Sequence, residues 1–95
     1  MAKGGWVYIM ADRYRGTMYV GVTAHLAARV HQHITGGGSD FCKQHGLDRL
    51  VWAEHGPDIA VCIAREKRVK RWWREWKFAL IEKSSPDWRD IRGLI

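Results

Sequence analysis

The chain is short of the residues that staple small folds together. It has two cysteines, Cys42 and Cys62, far apart in sequence and with no paired ligand beside either. A disulfide framework needs several bridges and a structural zinc site needs clustered ligands, so both are excluded and the two residues read as reduced thiols. Proline is as scarce, at two residues, which leaves no proline-rich linker. No run approaches the roughly 20 apolar residues that cross a bilayer. Met1-Ala2-Lys3-Gly4-Gly5 lacks the apolar core of a signal peptide. These absences predict a chain without a membrane partner, placed in the cytoplasm. Repeats and low-complexity tracts are also missing. At 95 residues the chain suits a single domain spanning 1–95, which would bury roughly 60 to 65% of its unfolded surface and leave no room for a large cofactor pocket.

What the chain does have is tryptophan and positive charge. Six tryptophans among 95 residues supply much of the core area a small fold needs. Lysine and arginine outnumber aspartate and glutamate by 16 to 10, a formal charge of +6 that suits a polyanionic partner. Net charge alone serves solubility equally well, so the positions of the charges must decide.

Two β-branched and aromatic runs, Trp6 to Met10 and Met18 to Val22, flank the polar segment Asp12-Arg13-Tyr14-Arg15-Gly16 and predict a β-hairpin. From Thr23 the period changes. Leu26, Val30 and Ile34 recur every fourth residue, with Thr23 as the N-cap and Gly36-Gly37-Gly38 as the stop, which predicts an amphipathic helix. His25, Arg29 and His33 form a second row beside the apolar one. Ser39 to Gly46 suits a short helix or turn, and Leu50-Val51-Trp52-Ala53 a third strand closed by Gly56-Pro57. Beyond Asp58 a long helix is expected, with Val69, Trp72, Trp73, Trp76 and Leu80 in one stripe, ended by Ser84-Ser85-Pro86. The tail should pack Trp88 and Ile91 on the body. The predicted architecture is an α/β (α+β) fold, a small three-stranded antiparallel sheet flanked by helices in the order β-β-α-β-α plus a C-terminal segment.

From about Gly5 to Ile91 the sequence resembles the GIY-YIG nucleases, most closely small stand-alone members similar to the N-terminal nuclease of bacterial excision repair. Trp6-Val7-Tyr8 stands where the family has Gly-Ile-Tyr or a relative, and Tyr19-Val20-Gly21 where it has Tyr-Ile-Gly. The sequel makes the match specific: Gly21-Val22-Thr23, then Leu26-Ala27-Ala28-Arg29-Val30, His33 a turn later, and Ala64-Arg65-Glu66-Lys67. The tail Pro86-Asp87-Trp88-Arg89-Asp90-Ile91 also resembles these members, although Ser85 stands where they usually carry Asn.

The resemblance implies a divalent-metal-dependent endonuclease. Tyr8 would take the proton from the attacking water, Arg29 would bind the scissile phosphate, and Glu66 would hold Mg²⁺ or Mn²⁺ on the leaving side. Tyr19 and His33 would orient water and phosphate. A phosphodiester needs this kind of assistance, because hydrolysis develops charge on the phosphate and on the leaving oxygen. Tyrosine is a demanding base: with an ordinary pKa near 10, its phenolate costs about 4 kcal/mol at neutral pH. A cation within about 6 Å must help it. A lone carboxylate suits a weakly held ion that keeps most of its waters.

Each residue also has a plainer role. Glu66 and Lys70 have the i, i+4 spacing of a surface ion pair, Tyr8 and Tyr19 that of ordinary cross-strand aromatics, and His33 suits a surface position. The tryptophans at 72, 73 and 76 fit a core stripe, with Trp73 the expected exception, lying with Lys70, Arg74 and Lys77 on a nucleic-acid-binding flank. The expected partner is DNA, with RNA as a second candidate, recognised by structure more than by sequence. A catalytically inactive nucleic-acid-binding module of the same fold is the alternative, and a protein-interaction domain a third reading.

Overall fold

A computed structural model describes residues 3–36 and 40–94. Strand β1 (Gly5–Ala11) lies between β2 (Met18–Thr23) and β3 (Arg49–Gly56), and both neighbours run antiparallel to it. All of β1 except Trp6 is buried, because helices cover both faces of the sheet. That double coverage is why its sequence is almost continuously apolar. The β1–β2 turn is tied by Asp12, whose carboxylate accepts the Thr17 amide at 2.8 Å.

Strand alternation divides the core into two layers. Val7, Ile9, Ala11 and Val20 meet helices α3 (Ile59–Arg71) and α4 (Arg74–Ser84) through Cys62, Val69 and Ile81. On the opposite face Tyr8 and Met10 meet helices α1 (Leu26–Thr35) and α2 (Asp40–His45) through Leu26, Val30 and Cys42. Both cysteines are free thiols inside these layers, Cys42 beneath the Tyr8 side and Cys62 on the other. The order β-β-α-β-α is therefore present, with α2 and a break in the last helix added to it.

That break corrects one expectation. The long helix beyond Asp58 stops at Arg71, and Trp72 and Trp73 take extended backbone, with ψ of 150° and 149°, before α4 begins. No proline or glycine marks the site. Trp72 turns its indole onto the core, where Arg65 covers the ring at 5.2 Å, while Trp73 and Trp76 are 71% and 57% exposed. The expected apolar stripe thus survives only at Val69, Trp72 and Leu80.

Helix starts and stops differ less. His25 occupies the N-cap position of α1 without a capping side chain, and Thr23 accepts the His25 amide at 3.1 Å instead of capping the helix itself. Gly36 ends α1 with a left-handed φ of 84°, a conformation glycine adopts without a Cβ penalty. Gly37, Gly38 and Ser39 lie outside the described residues.

The tail returns as expected. Trp88 is fully buried and Ile91 half-buried, and the Ile91 amide donates to the Leu50 carbonyl at 2.8 Å. Trp88 holds a left-handed φ of 58°, which costs roughly 1–2 kcal/mol for a side chain of this kind. Burial of the whole indole outweighs that cost, as does its N–H, which donates to Glu82 at 2.7 Å. Glu82 also forks onto Arg15 at 2.8 and 2.9 Å. Arg15 first, and then the indole, hold its carboxyl down to about 2. Trp88→Ala is expected to remove about 3–5 kcal/mol of stability, read by urea unfolding, and to return the Glu82 carboxyl toward the ordinary range.

Candidate active site

The register places Tyr8 opposite Gly21. A Cβ added at Gly21 would lie 2.5 Å from both Cζ and the hydroxyl of Tyr8 and 2.9 Å from the Tyr19 ring. The phenol of Tyr8 therefore lies directly across β2, through space that any other residue at position 21 would fill. Because β2 is an edge strand, this carries a side chain rooted in the central strand toward the sheet's open margin.

Helix α1 supplies the partners. Its buried positions are Leu26, Val30 and His33, so the histidine points into the core and not to the surface. The spacing explains this. At 100° per residue, position 33 lies about 20° from Leu26 on the helical wheel, whereas Ile34 lies roughly 80° away. His33 Nε2 sits 2.7 Å from the Tyr8 hydroxyl, and its ring stands edge-on to Tyr19 with centroids 5.3 Å apart. Arg29, one turn earlier, interacts with both phenols, Tyr8 more strongly than Tyr19. It also donates to Gln32 at 3.2 Å. His25 belongs to the same helix face only nominally, since it is exposed at the helix entrance.

The electrostatics follow from burial. Tyr8 is fully buried, and loss of hydration pushes its hydroxyl up to about 12 even though hydrogen bonding to Arg29 pulls the other way. Burial and then the Arg29 charge lower the His33 pKa, so its imidazole is held neutral. A neutral phenol therefore faces a neutral imidazole at short range, with a guanidinium beside them. Next to Arg29 a cleft of about 350 Å³ opens, lined by Val22, Thr23, His25, Ala28 and Gln32. Guanidinium, hydroxyl, imidazole and amide groups border it, a donor set suited to phosphate oxygens.

Glu66 is in the buried row of α3 between Cys62 and Val69, on the layer opposite Tyr8. Its Oε1 is buried and lies 2.6 Å from Lys70 Nζ, an i, i+4 ion pair whose alignment leaves that oxygen without a hydrogen bond. The plainer role is thus realised in geometry, with one difference: the carboxylate is buried and incompletely satisfied. Among the described residues no group of three or more His, Cys, Asp or Glu could hold a metal. A divalent ion would have Glu66 as its single protein ligand, and a buried carboxylate oxygen that accepts no hydrogen bond fits that once the ion displaces Lys70.

Of the flank expected to bind nucleic acid, Trp73 is exposed as anticipated. The basic members are engaged within the chain: Lys70 with Glu66, Arg74 with the Arg15 and Gly16 carbonyls at 2.9 and 2.8 Å, and Lys77 with the Lys70 carbonyl at 3.1 Å. Ser85 is buried at the end of α4, its amide on the Ile81 carbonyl and its carbonyl on the Trp88 amide. It belongs to the Trp88 layer and not to the tyrosine cluster. Gly21 is the position with a structural part here to which the sequence alone assigned none. The glycine was visible in the motif, but its cross-strand partner emerges only from the register.

The profile of the GIY-YIG catalytic domain matches residues 4–79. A protein of the UPF0213 group from Photorhabdus laumondii is 27% identical over 81 residues, covering 85% of this chain and 78% of its own. No solved structure matches.

Gly21→Ala is expected to drive the Tyr8 phenol out of its place, with a stability loss of about 1–3 kcal/mol. The wild-type chain loses stability as pH falls below about 6.5, because the unfolded chain then takes up a proton that buried His33 excludes. In Gly21→Ala that part of the pH dependence shrinks, and the His33 titration followed by NMR moves up toward its ordinary value.

Proposed function

The chain belongs to the GIY-YIG nuclease family, and on that premise we propose that it hydrolyses DNA phosphodiester bonds as a divalent-metal-dependent endonuclease. The observation that carries this reading is the 2.7 Å contact between Tyr8 and His33 with Arg29 beside both phenols. A tyrosine whose hydroxyl ionises near 12 is too weak an acid to wait as a phenolate. It need not do so. A neutral phenol that passes its proton to His33 Nε2 as it accepts one from water works as a relay, with no free phenolate formed.

Arg29 interacts with the phenols and also borders the cleft of Thr23, His25 and Gln32, so a phosphate in that cleft would draw its guanidinium outward. Tyr8 is closed to solvent, and we assign the opening of its oxygen to water to that movement. Substrate binding and exposure of the base are thereby coupled. Tyr19, half-buried against His33, fixes the edge of the entrance.

Glu66 would hold Mg²⁺ or Mn²⁺, which stabilises charge on the leaving oxygen when bound. Without it, Lys70 occupies the carboxylate, so the ion must displace an ammonium and binds weakly without nucleic acid. Helix α3 packs on β1 and β2, which supports approach of Glu66 and Tyr8 to the same β2 margin from opposite faces of the sheet. Among the described residues the elements are one sheet and the helices packed on it, with no separate base-reading element, which favours structure over sequence as the selected feature.

The burial of Tyr8 and the Lys70 contact also favour a second reading, an inactive nucleic-acid-binding module. One experiment separates the two: single-stranded, duplex, flap and branched DNAs incubated in Mg²⁺ or Mn²⁺ with the wild type, Tyr8→Phe, Arg29→Ala and Glu66→Ala, each checked for fold by circular dichroism. The nuclease reading expects cleavage by the wild type and a loss of at least roughly 100-fold in each variant. Equal cleavage by wild type and Glu66→Ala, or none by any preparation, would overturn it.

A further inference from the structure

The break between α3 and α4 leaves two large indoles in water, and nothing in the catalytic arrangement uses them. Trp73 is 71% exposed and Trp76 57%, in a fold that buries Trp88 completely and covers Trp72 with Arg65. Exposed aromatic area on this scale loses hydration free energy unless something covers it. Its surroundings are also rigid. The Trp72 amide donates to the Val69 carbonyl, the Trp76 and Lys77 amides donate to the Trp73 carbonyl, and Lys77 Nζ spans the break to the Lys70 carbonyl. Arg74 pins the start of α4 to the β1–β2 turn through two carbonyls. The Trp76 ring stands edge-on to Trp72 at 6.2 Å, which fixes its orientation.

Charge says what such a surface is for. From Arg65 to Lys83 the chain carries eight lysines and arginines against Glu66, Glu75 and Glu82. Glu66 is buried under Lys70 and Glu82 is held by Arg15, which leaves Glu75 without an ion pair among the described residues. Lys67, Arg68 and Arg71 are exposed on the last turns of α3, the helix that leads into the indole segment. Rigid aromatic faces set among cations match a chain of phosphates bearing flat bases.

We propose that Trp73 and Trp76 form a stacking platform for unpaired nucleobases, which makes the substrate class a nucleic acid with a single-stranded segment beside the scissile bond. In a duplex the base faces are hidden in the helical stack, so only a flap, overhang, bulge or gap offers them. Trp73 and Trp76 follow directly on α3, the helix that carries Glu66. The proposal rests on the nuclease reading for the place of the platform beside the scissile bond, while its binding test does not depend on cleavage.

The test measures binding by fluorescence anisotropy in a metal chelator, where no cleavage occurs, using a labelled oligothymidylate and a labelled blunt duplex. The Trp73→Ala/Trp76→Ala chain is expected to lose at least about tenfold per ring in affinity for oligothymidylate, with duplex affinity unchanged within about twofold. Trp73→Phe/Trp76→Phe should restore most of the loss, since phenylalanine keeps a stacking face. Both positions are solvent-exposed, and thermal unfolding of each variant verifies that the fold persists. Unchanged oligothymidylate binding, or an equal loss on both probes, would overturn the proposal. So would a change of sedimentation coefficient in the alanine chain without a change in binding, which would assign the indoles to a second copy of the protein. Absence of nuclease activity would leave this result standing and sink only the catalytic reading.

Discussion

A phenol lying across a glycine is the constraint on which the site depends. Tyr8 is rooted in the central strand, and its hydroxyl occupies the volume that a Cβ at Gly21 would need. That one missing atom decides three things. It lets the side chain cross the edge strand, it brings the hydroxyl within 2.7 Å of His33, and it leaves Arg29 close enough to act on both tyrosines. The flanking alternation then has little freedom: a shift by one residue would turn Tyr8 into the layer of Val7 and Ile9 and empty the site.

Burial sets the chemistry of this arrangement and also its difficulty. A phenol inside the fold is a poor acid, and a histidine inside the fold is a poor base for bulk protons. Set against each other, they make a pair along which a proton from water would pass through the phenol and end on His33 as a buried imidazolium, and that is the difficulty. The Arg29 charge lowers the His33 pKa and so opposes a proton resting there, a cost that movement of the guanidinium into the cleft beside it would relieve. The carboxylate on the other layer follows the same logic. Glu66 sits in a buried helical row where an apolar residue would be expected, and Lys70 keeps its charge compensated. Removal of the lysine alone would leave a buried charge uncompensated.

Much of this was legible in the residues, for identifiable reasons. The hairpin, α1 and β3 follow from hydrophobic period and turn chemistry, and the structure places them within a residue or two of expectation. Alternation along each strand and spacing along α1 are local and legible, whereas the register that sets Tyr8 opposite Gly21 and the packing of α1 on β1 that brings Arg29 and His33 to it are tertiary. His33 was expected in a row beside the apolar one with a surface position as its plain role, yet it is buried, because the seven-residue step from Leu26 returns it to the core face. The break at Trp72 and Trp73 was not, because neither residue interrupts a helix by propensity and the turn is imposed by Trp72 docking against the core. The left-handed backbone of Trp88 is hidden for the same reason: a tertiary contact overrides a local preference. Ser85 stands where the family usually carries Asn, and its backbone bonds belong to the packing of Trp88.

The account turns on which atom carries the proton between Tyr8 and His33. If the neutral phenol donates, His33 Nε2 is an acceptor and the imidazole is the Nδ1–H tautomer at neutral pH. Nitrogen-15 chemical shifts of the histidine rings, with His33 assigned by substitution, read this directly. The account predicts a neutral His33 with an unprotonated Nε2 that loses its hydrogen-bonded shift in Tyr8→Phe. An imidazolium at neutral pH, or a neutral ring with its proton on Nε2, would contradict it.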